Sequence, residues 1–147
     1  MRTRDLMTTP VDTIPPVASV AEAAQEMQRT GVGCLVVADP QVRGILTDRD
    51  TVLRCVAANC SPESTLVRDV MTDEVVTLGP DDEVDAVFAC FSDHAFRRIP
   101  IVDERGVAVG IVALDDVMLR GQSLLADMLR PVSREATIPR TRTSYAG

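Results

Sequence analysis

Apolar and polar residues follow one another along this chain in two rhythms, and the same succession of rhythms occurs twice. Val11–Ile14 and Val75–Leu78 are short strand patterns, each closed by a proline-containing turn. A helical period comes next. Val20, Ala23, Ala24 and Met27 stand at i, i+3, i+4 and i+7, as do Val84, Val87, Phe88 and Phe91, so each helix carries one apolar stripe. Ser19-x-x-Glu22 is a capping-box pattern for the first helix, and Asp81 or Asp82 is placed to cap the second. Each half then shows two strand patterns, Cys34–Ala38 with Gly44–Leu46, and Ile99–Val102 with Val107–Val112. Pro40–Arg43 and Asp103–Gly106 supply the turn chemistry between them. A second helix is predicted from about Arg49 to Ala58 and from about Asp115 to Arg120.

The two halves match residue by residue. Asp5-Leu6-Met7-Thr8 corresponds to Asp69-Val70-Met71-Thr72, Pro16 to Pro80, Val20 to Val84, Leu35 to Ile99 and Asp39 to Asp103, all at one offset. After a short slip, Gly44-Ile45-Leu46 corresponds to Gly110-Ile111-Val112 and Asp50 to Asp116. The order strand, helix, strand, strand, helix therefore occurs twice, which predicts an α+β fold. One such repeat cannot cover both faces of its own small sheet, so two repeats should pack together about a pseudo-twofold axis, sheet to sheet. The predicted division is residues 1–60, a linker at 61–66, residues 67–122, and an extension at 123–147. In its last stretch, Pro131–Gly147 with Arg130 just before it, Arg130, Arg134, Arg140 and Arg142 stand against a single Glu, which predicts a flexible basic tail.

Composition removes several function classes. All 15 basic residues of the 147 are arginine, so no phosphate-binding, Schiff-base or catalytic lysine exists. His94 is the only histidine, which excludes a three-histidine metal site within one chain, and as a lone helix-end histidine it reads as solvated. The aromatics are Phe88, Phe91, Phe96 and Tyr145, too few for a base-stacking platform. A net charge of −7 argues against nucleic acid as the partner. With 46% hydrophobic and 25% charged residues, the body reads as an ordinary globule. The N-terminus carries no apolar run of the signal-peptide kind and no stretch approaches membrane-spanning length, which places the protein in the cytoplasm and off the membrane. Cys34, Cys55, Cys60 and Cys90 follow no CxxC spacing and read as reduced, mostly buried thiols; no metal site is expected.

The repeated Asp-hydrophobic-Met-Thr, the segment Arg98-Ile99-Pro100-Ile101-Val102-Asp103 and the segment Gly44-Ile45-Leu46-Thr47-Asp48-Arg49-Asp50 together resemble a tandem pair of cystathionine-β-synthase-type (CBS) domains, a Bateman module standing alone. The resemblance covers roughly residues 3 to 120. It departs from an even pattern where Val36 stands opposite Pro100, and Ala113 opposite Thr47. What it implies is adenosyl-nucleotide binding in clefts between the repeats, through the Gly-h-h-Thr-x-x-Asp motif, with no cofactor required.

The residue chemistry agrees. A helix beginning at Thr47–Asp50 would offer backbone N–H groups and a positive dipole end to a phosphate. Thr47 would add a hydroxyl and Asp50 would accept from ribose hydroxyls, with Asp48 and Arg49 flanking them. The bland alternative is that Thr47 or Asp48 only caps the helix and Asp50 is a solvated acid of its first turn. The second motif keeps Asp116 but loses the hydroxyl at Ala113, which predicts unequal sites. The resemblance places a basic residue just before the h-Pro-h-h strand, which makes Arg98, with Arg97 beside it, the cation. Arginine suits phosphate through its planar fork, and the alternative is surface charge countering an acidic protein. The resemblance makes Pro10-Val11-Asp12 and Ile45 the walls for adenine at the first site, with Glu74 and Val75 at the second.

The function implied is a regulatory sensor, not an enzyme, binding a ligand of the AMP, ATP or S-adenosylmethionine class. It would change conformation or association, act as a homodimer and serve a regulated protein. The alternative is a stress-response, redox or protein-interaction protein on the same fold with vestigial ligand sites.

Overall fold

The computed structural model describes residues 1–137, and its first compact unit runs from Met1 to Leu114. In the first repeat, β1 (Thr13–Ile14) pairs in parallel with β2 (Cys34–Asp39), which pairs antiparallel with β3 (Gln41–Thr47). α1 (Val20–Thr30) links β1 to β2 and begins with the predicted capping box. The Glu22 amide donates to Ser19 Oγ at 3.0 Å, and Gly31 closes the helix in the left-handed region at φ 73°. Val20, Ala23 and Met27 are buried on this helix and Ala24 is exposed. α2 (Asp48–Thr51) follows β3 directly and runs on as a π-helical turn, Val52–Val56.

The second repeat differs in detail. β4 (Arg98–Val102) and β5 (Ala108–Ala113) form an antiparallel pair. The strand predicted at Val75–Leu78 is reduced to one parallel bridge, Leu78 to Ile101. Beyond Leu78 the Gly79 amide is taken by the Asp82 carboxylate at 2.8 Å and Pro80 has no amide to give, so the ladder stops there. That same bond removes Asp82 as a helix cap, and Asp81 pairs with Arg4 instead. α4 (Val84–Asp93) has Glu83 at its N-cap with no side-chain bond, and its first amide donates to the Met1 carbonyl at 3.2 Å.

That last bond belongs to an exchange of straps. The Thr3 and Arg4 amides donate to the carbonyls of Asp82 and Pro80, at 2.9 and 3.0 Å. The Val67 and Arg68 amides donate to Ala18 and Pro16, at 2.8 and 3.0 Å. These are the same bonds under the repeat correspondence. The segment opening each repeat, a 3-10 turn at Thr3–Asp5 and α3 at Val67–Val70, is therefore laid on the other repeat. Val67 and Val70 sit in the core cluster of the first repeat beside Val20, Leu35, Leu46 and Cys55. The sequence boundary at residues 61–66 is thus not the packing boundary.

Each strap ends on the other repeat's sheet. Thr72 makes an antiparallel bridge with Ile45, and Thr8 makes one with Ile111, a pair of pairs related by the pseudo-twofold axis. Gly44 and Gly110 allow the approach. A Cβ on Gly44 would stand 2.5 Å from the Thr72 carbonyl oxygen, and one on Gly110 would stand 2.6 Å from Met7 Sδ.

α5 runs from Leu114 to Thr137, well past the predicted end at Arg120, and from Asp115 it forms a second compact unit. The expected flexible tail falls on this helix as far as Thr137, and from residue 138 it lies outside the described residues. Among the described residues no helix is long and apolar enough to cross a membrane.

Gly44→Ala should lower stability by about 1–3 kcal/mol, the usual cost of forcing atoms into a packed contact. Gly110→Ala should cost less, because a Met7 side chain can move where a Thr72 carbonyl cannot. Gly121→Ala, with open space around it in α5, should be neutral or stabilising by up to about 1 kcal/mol. Urea unfolding of the three variants checks this order.

Candidate functional site

A cavity of about 340 Å3 opens where the end of β3 turns into α2. Ile45, Thr47, Asp48, Arg49 and Asp50 form one side, the strap residues Thr72, Glu74, Val75 and Val76 another, and Phe96, Arg97 and Arg98 the third. The Ile45–Thr72 bridge holds the strap against the motif, with the Ile45 and Thr72 amides each donating to the other's carbonyl at 2.9 Å.

Thr47 is the N-cap of α2. The Asp50 amide donates to Thr47 Oγ1 at 3.1 Å and the Thr47 amide donates to Asp50 Oδ2 at 3.1 Å, a reciprocal capping box. The Arg49 amide donates to Asp48 Oδ1 at 2.8 Å, and the Asp48 amide to the Gly33 carbonyl at 3.0 Å. The backbone donors expected to receive a phosphate thus already have acceptors, and two carboxylates complement the helix dipole. This corrects the picture of an open helix N-terminus as the anion site; the capping role is realised. Asp50 is not a solvated acid, since its side chain is only 16% exposed and its Oδ1 faces the Arg54 guanidinium at 3.8 Å.

The cations come from the second repeat. Arg98 begins β4 opposite Ala113, and the Arg97 carbonyl accepts from the Leu114 amide at 2.9 Å. Neither guanidinium has an acidic partner among the described residues. The lining therefore holds three arginines and three carboxylates around an apolar floor of Ile45, Val75 and Val76. Phe96 stacks on His94 with ring centroids 4.8 Å apart. His94 is exposed and its Nδ1 lies 3.2 Å from the Cys90 carbonyl oxygen.

Of the residues predicted for the site, Ile45, Thr47, Asp48, Arg49, Asp50, Arg97 and Arg98 are brought together. Pro10, Val11 and Asp12 are not, and Glu74 and Val75, assigned to the other cleft, stand in their place. The strap exchange is the reason: each strap runs on from the other repeat's sheet, so the residues after Thr72 border the Thr47 motif while those after Thr8 follow the bridge to Ile111. Asp116 lies in the first turn of α5 and is not among the lining residues. Thr72, Val76 and Phe96 had no assignment from sequence. The repeated Asp-h-Met-Thr pointed to Thr72, but only as a repeat mark. Among the described residues no three His, Cys, Asp or Glu side chains converge to hold a metal ion.

A family model described as the CBS domain matches residues 4–54 and again residues 67–122. The chain belongs to the CBS-domain family. This CBS pair is 38% identical over 121 residues to the CBS domain-containing protein YhcV of Bacillus subtilis, covering 82% of this chain and 85% of that one. It is 34% identical over 105 residues to the uncharacterized protein MK0525 of Methanopyrus kandleri, of which it spans only 54%. Among solved structures, the CBS domain pair of protein MJ0100 in complex with 5-methylthioadenosine and S-adenosyl-L-methionine superposes with a TM-score of 0.73 at 27% identity. That match covers 84% of this chain and 98% of the other.

Cys34 lies beside the motif, paired with Thr47 across the ladder and buried. Burial pushes its thiol up to about 11; Arg98 pulls it down, and Asp50 and Asp48 push it further up. A raised thiol favours the folded state while it stays protonated. Its contribution is complete below the unfolded value of 9.0 and is lost as pH rises towards 11, because the unfolded state releases its proton first. Urea stability measured from pH 8 to 11 should fall by about 2–3 kcal/mol more in the wild type than in Cys34→Ala.

Proposed function

We propose that this CBS pair is a non-catalytic regulatory sensor that binds an adenosyl ligand of the AMP, ATP or S-adenosylmethionine class in the Thr47–Asp50 cleft. The observation that carries the reading is the division of the cavity lining. Two arginines without acidic partners among the described residues stand at one side, a largely shielded carboxylate and a hydroxyl at another, and an apolar floor lies between them. The likeness to the MJ0100 pair, which holds 5-methylthioadenosine and S-adenosylmethionine, supports the same ligand class.

In this reading adenine rests on Ile45, Val75 and Val76. Asp50 accepts from the ribose hydroxyls; it uses one oxygen on the Thr47 amide, and a carboxylate offers about four lone-pair sites. The anionic end, phosphate or carboxylate, goes to Arg97 and Arg98, because the α2 amides are already engaged. Thr47 donates its hydroxyl hydrogen, for which no acceptor stands among the described residues. The ligand touches a strap and a motif from different repeats, so it binds one relative setting of them better than another, and that differential affinity is the signal. The output is association or a change of angle passed to a regulated partner. Homodimerisation is part of the proposal: Val52, Leu53, Val56 and Phe88 are each about half exposed on the helices, an apolar surface that a second copy would cover.

Isothermal titration with AMP, ATP and S-adenosylmethionine tests the reading. At least one should bind the wild type, and Asp50→Ala should weaken it by roughly tenfold or more, the loss of a hydrogen bond to a charged group. Arg98→Ala should weaken AMP more than adenosine. A folded wild-type protein that binds none of the three overturns the proposal, and equal losses for AMP and adenosine overturn the role of Arg98.

A further inference from the structure

The turn that ends the helical run beyond the cleft carries chemistry that ligand binding does not use. Asn59 is the one non-glycine among the described residues with a left-handed backbone, at φ 57°. Its amide donates to the Val56 carbonyl at 3.1 Å, and the Cys60 amide donates to the Cys55 carbonyl at 3.0 Å. These two bonds make a Schellman motif, in which the residue after the left-handed one folds back on the residue five positions before it and closes an apolar contact. Here both contacting residues are cysteines.

The thiols face into the same turn. Cys55 Sγ lies 3.8 Å from the Cys60 carbonyl oxygen and Cys60 Sγ lies 3.6 Å from that of Arg54. Burial, and after it the neighbouring Cys60, push the Cys55 thiol up, against a smaller pull from Thr65. Cys55 is fully buried in the core of the first repeat, while Cys60 packs against that core and stays partly exposed. The backbone bond between them draws the two α-carbons together, and a disulfide needs α-carbons roughly 4.4–6.8 Å apart. One thiol is therefore accessible to a reagent and the other is held behind it, ready to resolve the product.

We propose that Cys55 and Cys60 form a dithiol–disulfide redox site whose co-substrate is a low-molecular-weight disulfide. The Cys60 thiolate attacks one sulfur of that disulfide, forming a mixed disulfide on Cys60 and releasing one thiol. The Cys55 thiolate then attacks the Cys60 sulfur, forming the Cys55–Cys60 bond and displacing the second thiol. Two electrons pass from the protein to the reagent disulfide, and the two protein protons end on the two released thiols. The site owes nothing to the adenosyl cleft and stands or falls without it.

Reduced full chain is equilibrated with glutathione disulfide and glutathione over a range of ratios, acid-quenched, alkylated and digested with trypsin. Cleavage after Arg54 and Arg68 puts Cys55 and Cys60 on one peptide, apart from Cys34 and Cys90. With rising disulfide that peptide should lose both alkyl groups and become two hydrogens lighter than its dithiol form, reversibly with dithiothreitol. Cys55→Ala should stop at glutathione bound to Cys60. Cys60→Ser, a change at a partly exposed position, should leave Cys55 as an alkylatable thiol. A wild-type peptide that stays doubly alkylated, or stops at a Cys60 mixed disulfide, overturns the proposal. Oxidation of Cys55 in a folded Cys60→Ser protein overturns it as well.

Discussion

Two short antiparallel bridges, Ile45 to Thr72 and Thr8 to Ile111, set how closely the halves of this chain approach, and glycine at 44 and 110 makes that approach sterically open. Each bridge ends a strap that has already been hydrogen-bonded along the other repeat, so neither repeat completes its own structure. The first helix amide of α4 relies on the Met1 carbonyl, and Val20 at the start of α1 relies on that of Thr65. Val67 and Val70 fill the core of a repeat to which they do not belong in sequence. Buried backbone groups must find partners, and here the partner is supplied by the twin repeat. The pseudo-twofold axis follows from mutual satisfaction of polar groups as much as from burial of apolar faces.

The same crossing composes the cleft. β3 and α2 carry the Thr47–Asp50 motif, the strap from Thr72 supplies an apolar wall with Glu74, and the start of β4 brings two arginines. Without the crossing, the motif would be a well-capped helix start with its own carboxylates answering its own amides. With it, cations and an apolar floor stand within one cavity.

The halves are unequal for local reasons. Thr47 caps α2 through its hydroxyl, while Ala113 has none to offer before α5. β1 is a true strand, whereas its counterpart narrows to a single bridge at Leu78. In the first repeat a left-handed Asn59 closes the helical run, and its Schellman contact happens to consist of two thiols.

Periodicity and the internal match were enough to predict the α+β class, most of the order of elements and the Ser19–Glu22 cap, and the resemblance of the repeated motifs pointed to the family. Those depend on interactions within a few residues or on a pattern that recurs in the chain. Thr47, Asp50, Arg97 and Arg98 were singled out by the resemblance, and their residue chemistry agreed with it. Which wall faces which motif was a different matter. Pro10–Asp12 and Glu74–Val76 are equivalent in sequence, and only the long-range bridge of Thr72 to Ile45 puts the second of them beside Thr47. Likewise, whether the α2 amides were free or already bonded depended on which acceptors the fold brought near them, Gly33 among them. Local patterns select elements because they act through neighbouring residues; the assignment of partners between repeats is a property of the packed molecule alone.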